Sequence, residues 1–212
     1  MFNNHAEIIL ASGSPRRKRF LEELGLLFSV QVADVDETAR PGERPEQFVR
    51  RLALEKAEAV APLHREAYVI GADTVVVLAG KILGKPDGSA EALTMLQSLS
   101  GRTHEVWTGF AICRNGDKTR VTGAVRTEVT FIDASDDLLA AYVGSGEPLD
   151  KAGAYGIQGR GGLLVASITG SYSNVVGLPM AELVAALLDL GAINPLVLSG
   201  DGVKGLTNSI PL

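Results

Sequence analysis

Apolar residues recur along the chain in two rhythms, one of strands and one of helices. Glu7 to Ser12 reads Glu-Ile-Ile-Leu-Ala-Ser, a short apolar run that predicts a buried strand. Ser14-Pro15 then opens a helix, with serine as the cap and proline in the first turn. That helix runs from Arg16 to Leu24, buries Phe20, Leu21 and Leu24, and stops at Gly25. Phe28 to Val32 predicts a short strand, and Asp34 to Arg44 a polar loop. Pro45 starts a second helix whose Phe48, Val49, Leu52, Ala53 and Val60 fall on one stripe.

Tyr68 to Leu78 is the strongest strand signal, and Ala79-Gly80 turns it into a short partner, Lys81 to Leu83. Ser89 is expected to cap a third helix that ends near Gly101. Val106 to Cys113 and Val121 to Ile132 predict two strands joined at Asn115-Gly116, a hairpin signal. In the second of these, Val121, Val125, Val129 and Phe131 share a face. Ser135-Asp136-Asp137 opens a fourth helix, its acids suited to the positive end. Asp150 to Gly162 reads as a glycine-rich loop and Leu163 to Ile168 as a strand. Pro179 opens a last helix carrying Leu183, Val184, Leu187 and Leu188, closed by Gly191. Helices and hairpins interleave, so the expected class is α/β with a mixed, twisted sheet. The expected division is a single domain over residues 1–192 and a weakly ordered tail over 193–212, where the composition turns to Gly, Ser and Pro.

Composition narrows the possibilities. The 212 residues carry a net charge of -5, which argues against whole-surface attraction to nucleic acid or anionic membrane. No run approaches the roughly 20 apolar residues of a membrane span. With one cysteine and no export signal at the start, the expected location is the cytoplasm. The three histidines lie far apart and match no zinc spacing, so any metal is expected to be a hard ion held by carboxylates.

Four places carry candidate chemistry. In Ser12-Gly13-Ser14-Pro15-Arg16-Arg17-Lys18 a strand ends and a helix begins with cations in its first turn. Cations there oppose the helix dipole at a cost of about 0.3–1 kcal/mol each when exposed, and a bound phosphate would reverse the sign. The alternative is a solvated basic face paired with Glu22 and Glu23 at helical spacing. Asp73 lies inside an apolar strand, where an unpartnered carboxylate is costly. Gly71 before it allows close approach of backbone or ligand, and the alternative is that the strand breaks there and Asp73 begins a turn.

Lys56 falls on or beside the apolar stripe of its helix, and snorkelling to water is the commoner outcome for a lone lysine. Lys85, between Gly84 and Pro86, suits a phosphate contact or plain surface. Glu37, beside Asp36, offers a carboxylate to a hard metal or simply to solvent. Around Gln158, five glycines (153, 156, 159, 161 and 162) leave room for close backbone approach, and the amide can read the edge of a base. A mobile hairpin loop would have the same composition. Gly200-x-Gly202-x-x-Gly205 matches a dinucleotide fingerprint in letters only, since no helix is expected after it.

Taken together, the blocks resemble the Maf family of nucleoside triphosphate pyrophosphatases. They are Leu10-Ala-Ser-Gly-Ser-Pro-Arg-Arg17, Asp36-Glu37, Arg51-Leu-Ala-x-x-Lys-Ala57, Gly71-Ala-Asp-Thr74, Gly84-Lys-Pro86, Leu99-Ser-Gly-Arg-Thr-His104, Gly153-Ala-Tyr-Gly-Ile-Gln-Gly159 and Gly170-Ser-Tyr-x-x-Val-Val-Gly-Leu-Pro179. The Gly-Ile-Gln-Gly form is similar to the branch acting on dTTP and UTP; a sister branch acting on methylated guanine nucleotides has Glu where Gln158 stands. Lys151 falls where other members have Thr. The resemblance implies an elongated two-lobed molecule with a central cleft, related to the inosine triphosphatase fold. It also implies a divalent metal, Mg²⁺ or Mn²⁺, held by Glu37 and Asp73, and a homodimer.

By the same resemblance, Asp73 is the proton acceptor and Glu37, Lys56 and Lys85 join it in catalysis. Arg16, Thr74 and Gln158 match the family's specificity positions and Ser12 another active-site position; Ser14, the second hydroxyl at the helix start, joins them in binding substrate on residue chemistry alone. Three alternatives stay open: a nucleotide-binding regulator of septum formation without turnover, an RNA binder using Arg16 to Arg19, and the same chemistry on a modified pyrimidine or non-standard purine.

Overall fold

The computed structural model describes residues 1–196. A seven-stranded mixed sheet forms its centre, in the order β3-β2-β4-β6-β7-β8 with β5 beside β4. The strands are β2 (Ile8–Leu10), β3 (Ser29–Val30), β4 (Tyr68–Leu78), β5 (Lys81–Leu83), β6 (Thr103–Arg114), β7 (Thr119–Phe131) and β8 (Val165–Thr169). The β2–β3 and β2–β4 pairs are parallel and the others antiparallel. Helices α1 (Pro15–Glu23), α2 (Pro45–Val60), α3 (Ser89–Leu99), α4 (Asp136–Gly144), α5 (Tyr172–Val176) and α6 (Met180–Asp189) complete it. No described helix is long and apolar enough to cross a membrane.

Alternation along β4 divides the molecule. Its odd positions Val69, Val75 and Val77 face α2, against Ala53, Ala57, Phe48, Val49 and Leu52. Helix α2 lies close because the sheet beneath it is bare. A Cβ on Gly71 would strike the Ala53 carbonyl oxygen, and one on Gly109 the Val49 carbonyl. Gly109 pairs with Asp73 across the β4–β6 ladder.

The even positions face the other side. Tyr68, Ile70 and Ala72 join a core with α1 and α6, whereas Val76 joins a second core with α3 and α4. Thr74 lies between these two lobes. It meets Thr108 of β6 at 2.9 Å, and Thr108 donates to the Asn174 carbonyl. Fully buried Asn174 donates to the Val106 carbonyl and to Thr127. The two lobes thus meet at a hydrogen-bonded polar waist, in which Asn174 Oδ1 is left without a partner among the described residues.

Several expectations are corrected. Helix α3 starts at Ser89 with Gly88 as its cap, not Ser89. Gly88 takes φ +142, a conformation costly for other residues, and the Glu91 carboxylate accepts from the Asp87 N–H in place of a serine cap. The β6–β7 connection is a four-residue loop, Asn115 to Lys118, wider than a two-residue turn. Gly116 is drawn aside because its N–H donates to the Arg65 carbonyl. The glycine-rich segment is no open loop: short 3-10 turns occupy Ala152–Ala154 and Gly159–Leu164, and β8 starts only at Val165.

The pattern also missed α5 and the antiparallel pair of β1 (Phe2–Asn4) with β9 (Ile193–Pro195). The boundary expected after residue 192 therefore falls beside a paired strand whose Ile193 is buried in the core. The rest of the expected tail, 197–212, lies outside the described residues, as does the motif at Gly200, Gly202 and Gly205.

Candidate active site

A cleft of about 680 Å³ opens between the two lobes at the end of β2 and the middle of β4. All nine candidate residues line it: Ser12, Ser14, Arg16, Glu37, Lys56, Asp73, Thr74, Lys85 and Gln158. These come from six separate stretches of chain, so the fold has converged what the sequence scatters.

Asp73 sits at its floor, 8% exposed, in an unbroken β4. The alternative of a strand break at Gly71 is thereby excluded, and what approaches Gly71 is the backbone of α2. That approach places Lys56 over Asp73. The lysine is itself buried, and its Nζ stands 2.7 Å from Asp73 Oδ1 and 2.6 Å from Glu37 Oε1. Lys56 therefore turns inward and does not snorkel. Burial pushes the Asp73 carboxyl above the ordinary carboxylate value, against the opposing pull of Lys56 and Arg17. Burial also pushes Glu37 upward, but the hydrogen bond and charge of Lys56 outweigh it and leave that carboxyl lowered.

Glu37 reaches the cleft from a loop, and the loop is tied down. Arg51 of α2 donates to both oxygens of Glu43 at 2.7 Å, to Glu55 at 3.1 Å and to the Thr38 carbonyl at 3.1 Å. Asp36 turns away and accepts from the Thr38 N–H. Of two adjacent acids, only Glu37 enters the site.

The basic run of α1 divides in the same manner. Lys18 and Arg19 pair with Glu22 and Glu23 on the outer face, as the solvated alternative has it. Arg16 and Arg17 face the cleft. Arg16 lies 3.7 Å from Asp150 of the opposite lobe. Arg17, which sequence reasoning did not single out, ties the elements together. It donates to Ser12 Oγ and the Ala72 carbonyl at 2.9 Å, to Thr74 at 3.1 Å and to the Gly177 carbonyl at 2.7 Å. Ser14 caps α1 through the Arg17 N–H, and Ser12 is buried beside it. Lys85 is exposed on the far rim, and Gln158 is half-buried at the end of the cleft formed by the glycine segment.

Comparison with known proteins gives this arrangement a lineage. The family described as Maf-like protein matches residues 7–190. The chain belongs to the Maf family. This Maf chain is 53% identical over 194 residues to the dTTP/UTP pyrophosphatase of Desulfotalea psychrophila, covering 92% of the chain and 100% of the relative. It is 53% identical over 180 residues to the dTTP/UTP pyrophosphatase of Myxococcus xanthus, covering 85% and 90% respectively. Among solved structures it is similar to the Staphylococcus aureus Ham1 protein, at 18% identity and a TM-score of 0.45, over 60% of this chain and 73% of that one.

The Maf chain's donors suit a hard cation better than a soft one. No group of three or more His, Cys, Asp or Glu among the described residues could hold a metal ion by itself. Glu37 and Asp73 each engage with one oxygen the Lys56 ammonium that stands between them, so the oxygens left for a cation are Glu37 Oε2 and Asp73 Oδ2. Mg²⁺-type ions are commonly bound by one or two carboxylates with substrate phosphates supplying further oxygens.

Sequence reasoning also passed over Glu147, Tyr142 and Asn174. Asn174 lay inside the quoted block Gly170 to Pro179, and Glu147 stands just before the Gly153 block. Neither stands in an apolar run, so no local pattern marked them, and their partners come from distant segments.

Proposed function

We propose that the protein hydrolyses pyrimidine nucleoside triphosphates, dTTP and UTP foremost, to the monophosphate and pyrophosphate. The observation that carries this reading is the juxtaposition in one cleft of a buried, lysine-paired Asp73 with the cationic start of α1. The names of the relatives supply the substrate class.

In this mechanism the triphosphate lies along the cleft with its phosphates toward α1. Arg16 and Lys85 bind phosphate oxygens, and Lys56 offsets charge that grows on the departing pyrophosphate. Ser12 and Ser14 offer hydroxyls at the helix start. Asp73 takes the proton of the attacking water on Oδ2, the oxygen that Lys56 does not engage. A divalent cation, Mg²⁺ or Mn²⁺, held by Glu37 would neutralise part of the substrate's charge and polarise the reacting phosphate; Asp73 would join Glu37 as its ligand only if Oδ2 does not serve as the base. Thr74, held by Arg17 and Thr108 in the wall of the cleft, presents its side chain to the substrate. Gln158 presents a donor and an acceptor to N3 and O4 of uracil or thymine. The single cysteine and acidic balance favour a cytoplasmic protein that does not bind nucleic acid, and the family resemblance implies a homodimer.

Release of pyrophosphate from a panel of nucleoside triphosphates, with Mg²⁺ and with Mn²⁺, tests the reading. Turnover of dTTP and UTP is expected, and Asp73→Asn is expected to lower kcat about 10²–10⁴-fold while nucleotide still binds. Binding without turnover by the native protein would instead favour a regulator, and near-native turnover by Asp73→Asn would remove Asp73 from the chemistry.

A further inference from the structure

We propose that Glu147 is a positioning residue which, with Tyr142, holds the segment 156–161 and thereby sets how Gln158 meets the base. The proposal rests on the nucleotide reading above and assigns the origin of its base selection.

The Glu147 carboxylate grips one side of Gln158. Its Oε2 accepts the Arg160 N–H at 3.0 Å, and its Oε1 accepts the Gly161 N–H at 3.0 Å. Tyr142 of α4 donates its hydroxyl to the same Oε1 at 3.1 Å. That hydroxyl accepts in turn from the Gly156 N–H at 3.3 Å, on the other side of Gln158. Gln158 is thus two residues from an anchored amide in either direction. Glu147 is itself fastened, since Lys151 Nζ donates to its carbonyl at 2.6 Å and to Asp150 Oδ1 at 2.6 Å. Burial pushes the Glu147 carboxyl up, but the Gly161 and Arg160 N–H groups and the Tyr142 hydroxyl outweigh it, so it stays anionic at neutral pH.

The glycines of the segment match this clamp. A Cβ on Gly161 would collide with the Tyr142 hydroxyl oxygen, and one on Gly159 would lie 3.0 Å from Glu147 Oε2. Their spacing serves close packing on the two side chains and does not signal a mobile loop. A glycine-rich segment loses much conformational entropy when ordered. Two charge-assisted bonds, from the Arg160 and Gly161 N–H groups, and the Gly156 bond to Tyr142 offset that loss before substrate arrives, so less binding free energy goes into ordering the segment. The acid touches no reacting atom. Its loss should weaken base binding and selection and leave the chemical step nearly intact.

Glu147→Ala and Glu147→Gln are to be compared with the native protein in two measurements, amide hydrogen exchange over 156–161 and steady-state kinetics with dTTP, UTP and CTP. For Glu147→Ala, exchange should quicken, KM for dTTP and UTP should rise about tenfold with kcat within about threefold, and the dTTP-over-CTP ratio should narrow. Glu147→Gln keeps one oxygen for Gly161 and Tyr142 and should fall between; it carries the test if the alanine variant does not fold. Unchanged exchange overturns the proposal, as does quickened exchange with native KM and native base ratio, or a fall in kcat alike for all bases. If the native protein turns over none of the three nucleotides, the functional reading fails, and the exchange arm still decides whether Glu147 holds the segment.

Discussion

Lys56 Nζ lies 2.7 Å from Asp73 Oδ1 with both residues 8% exposed, and no other cation stands so close to that acid among the described residues. Glu37 shares the same ammonium from the loop above. One lysine thus binds two acids, and its removal should be felt in both stability and pH dependence.

Lys56→Met leaves the Asp73 carboxylate buried with its main counter-charge gone. The carboxyl, already raised by burial, rises further. Stability at neutral pH should fall by about 3–5 kcal/mol in urea unfolding. The acid limb of kcat/KM for dTTP, set by protonation of Asp73, should move to higher pH. An acid limb that stays in place would separate Asp73 from the proton transfer.

Gly71→Ala and Gly109→Ala each insert a methyl where the α2 backbone already lies. Each should cost about 1–3 kcal/mol or more and push α2, with Lys56, away from Asp73. Activity should fall further than stability explains at temperatures where the variants remain folded. Native kcat in a folded, destabilised variant would show that the Lys56–Asp73 distance is not critical.

Gln158→Glu replaces the amide by an acceptor-only group at a half-buried cleft position. The expected result is about a 10–100-fold loss of kcat/KM for dTTP and UTP. The unfolding free energy should change by less than about 0.5 kcal/mol. A dTTP and UTP preference that survives intact would displace Gln158 from base reading.

His104 supplies a pH-dependent term of its own. It is 2% exposed, its Nε2 is 2.8 Å from Tyr155 Oη, and its Nδ1 has no hydrogen-bond partner among the described residues. Protonation would put a charge, with Nδ1 unpartnered among the described residues, into a ring cluster with Phe131 and Tyr155. Burial accordingly lowers its pKa from 6.5 to about 4. The unfolded chain binds the proton first, so this stability is whole above pH 6.5 and is lost as pH falls toward about 4. The loss should reach about 3 kcal/mol, and His104→Gln should flatten that part of the stability curve. An unchanged slope would show that other groups govern acid unfolding.

Elements with strong local pattern were legible in advance. β4 occupies the predicted Tyr68–Leu78, and α1, α2, α4 and α6 begin where Ser14-Pro15, Pro45, Ser135 and Pro179 signalled. Short pieces escaped. β1 and β9 have three residues each and acquire their form only by pairing across the whole chain, and α5 is a single short helix. Gly88 displaced Ser89 as a cap because the choice depends on the entering backbone, which the residue types do not reveal.

Residue chemistry and spacing established an α/β chain with a central apolar strand bearing an acid, a helix opening with cations, and a glycine segment around one amide. Those are local properties, fixed by periodicity, capping and the cost of charge in apolar surroundings. Which partner answers each cost is not local. Lys18 and Arg19 took the acids one turn away, whereas Arg17 crossed to Gly177 and Lys56 crossed to Asp73. Those pairings follow from how closely α2 and α5 settle on the sheet, and that closeness is decided by packing among segments far apart in sequence.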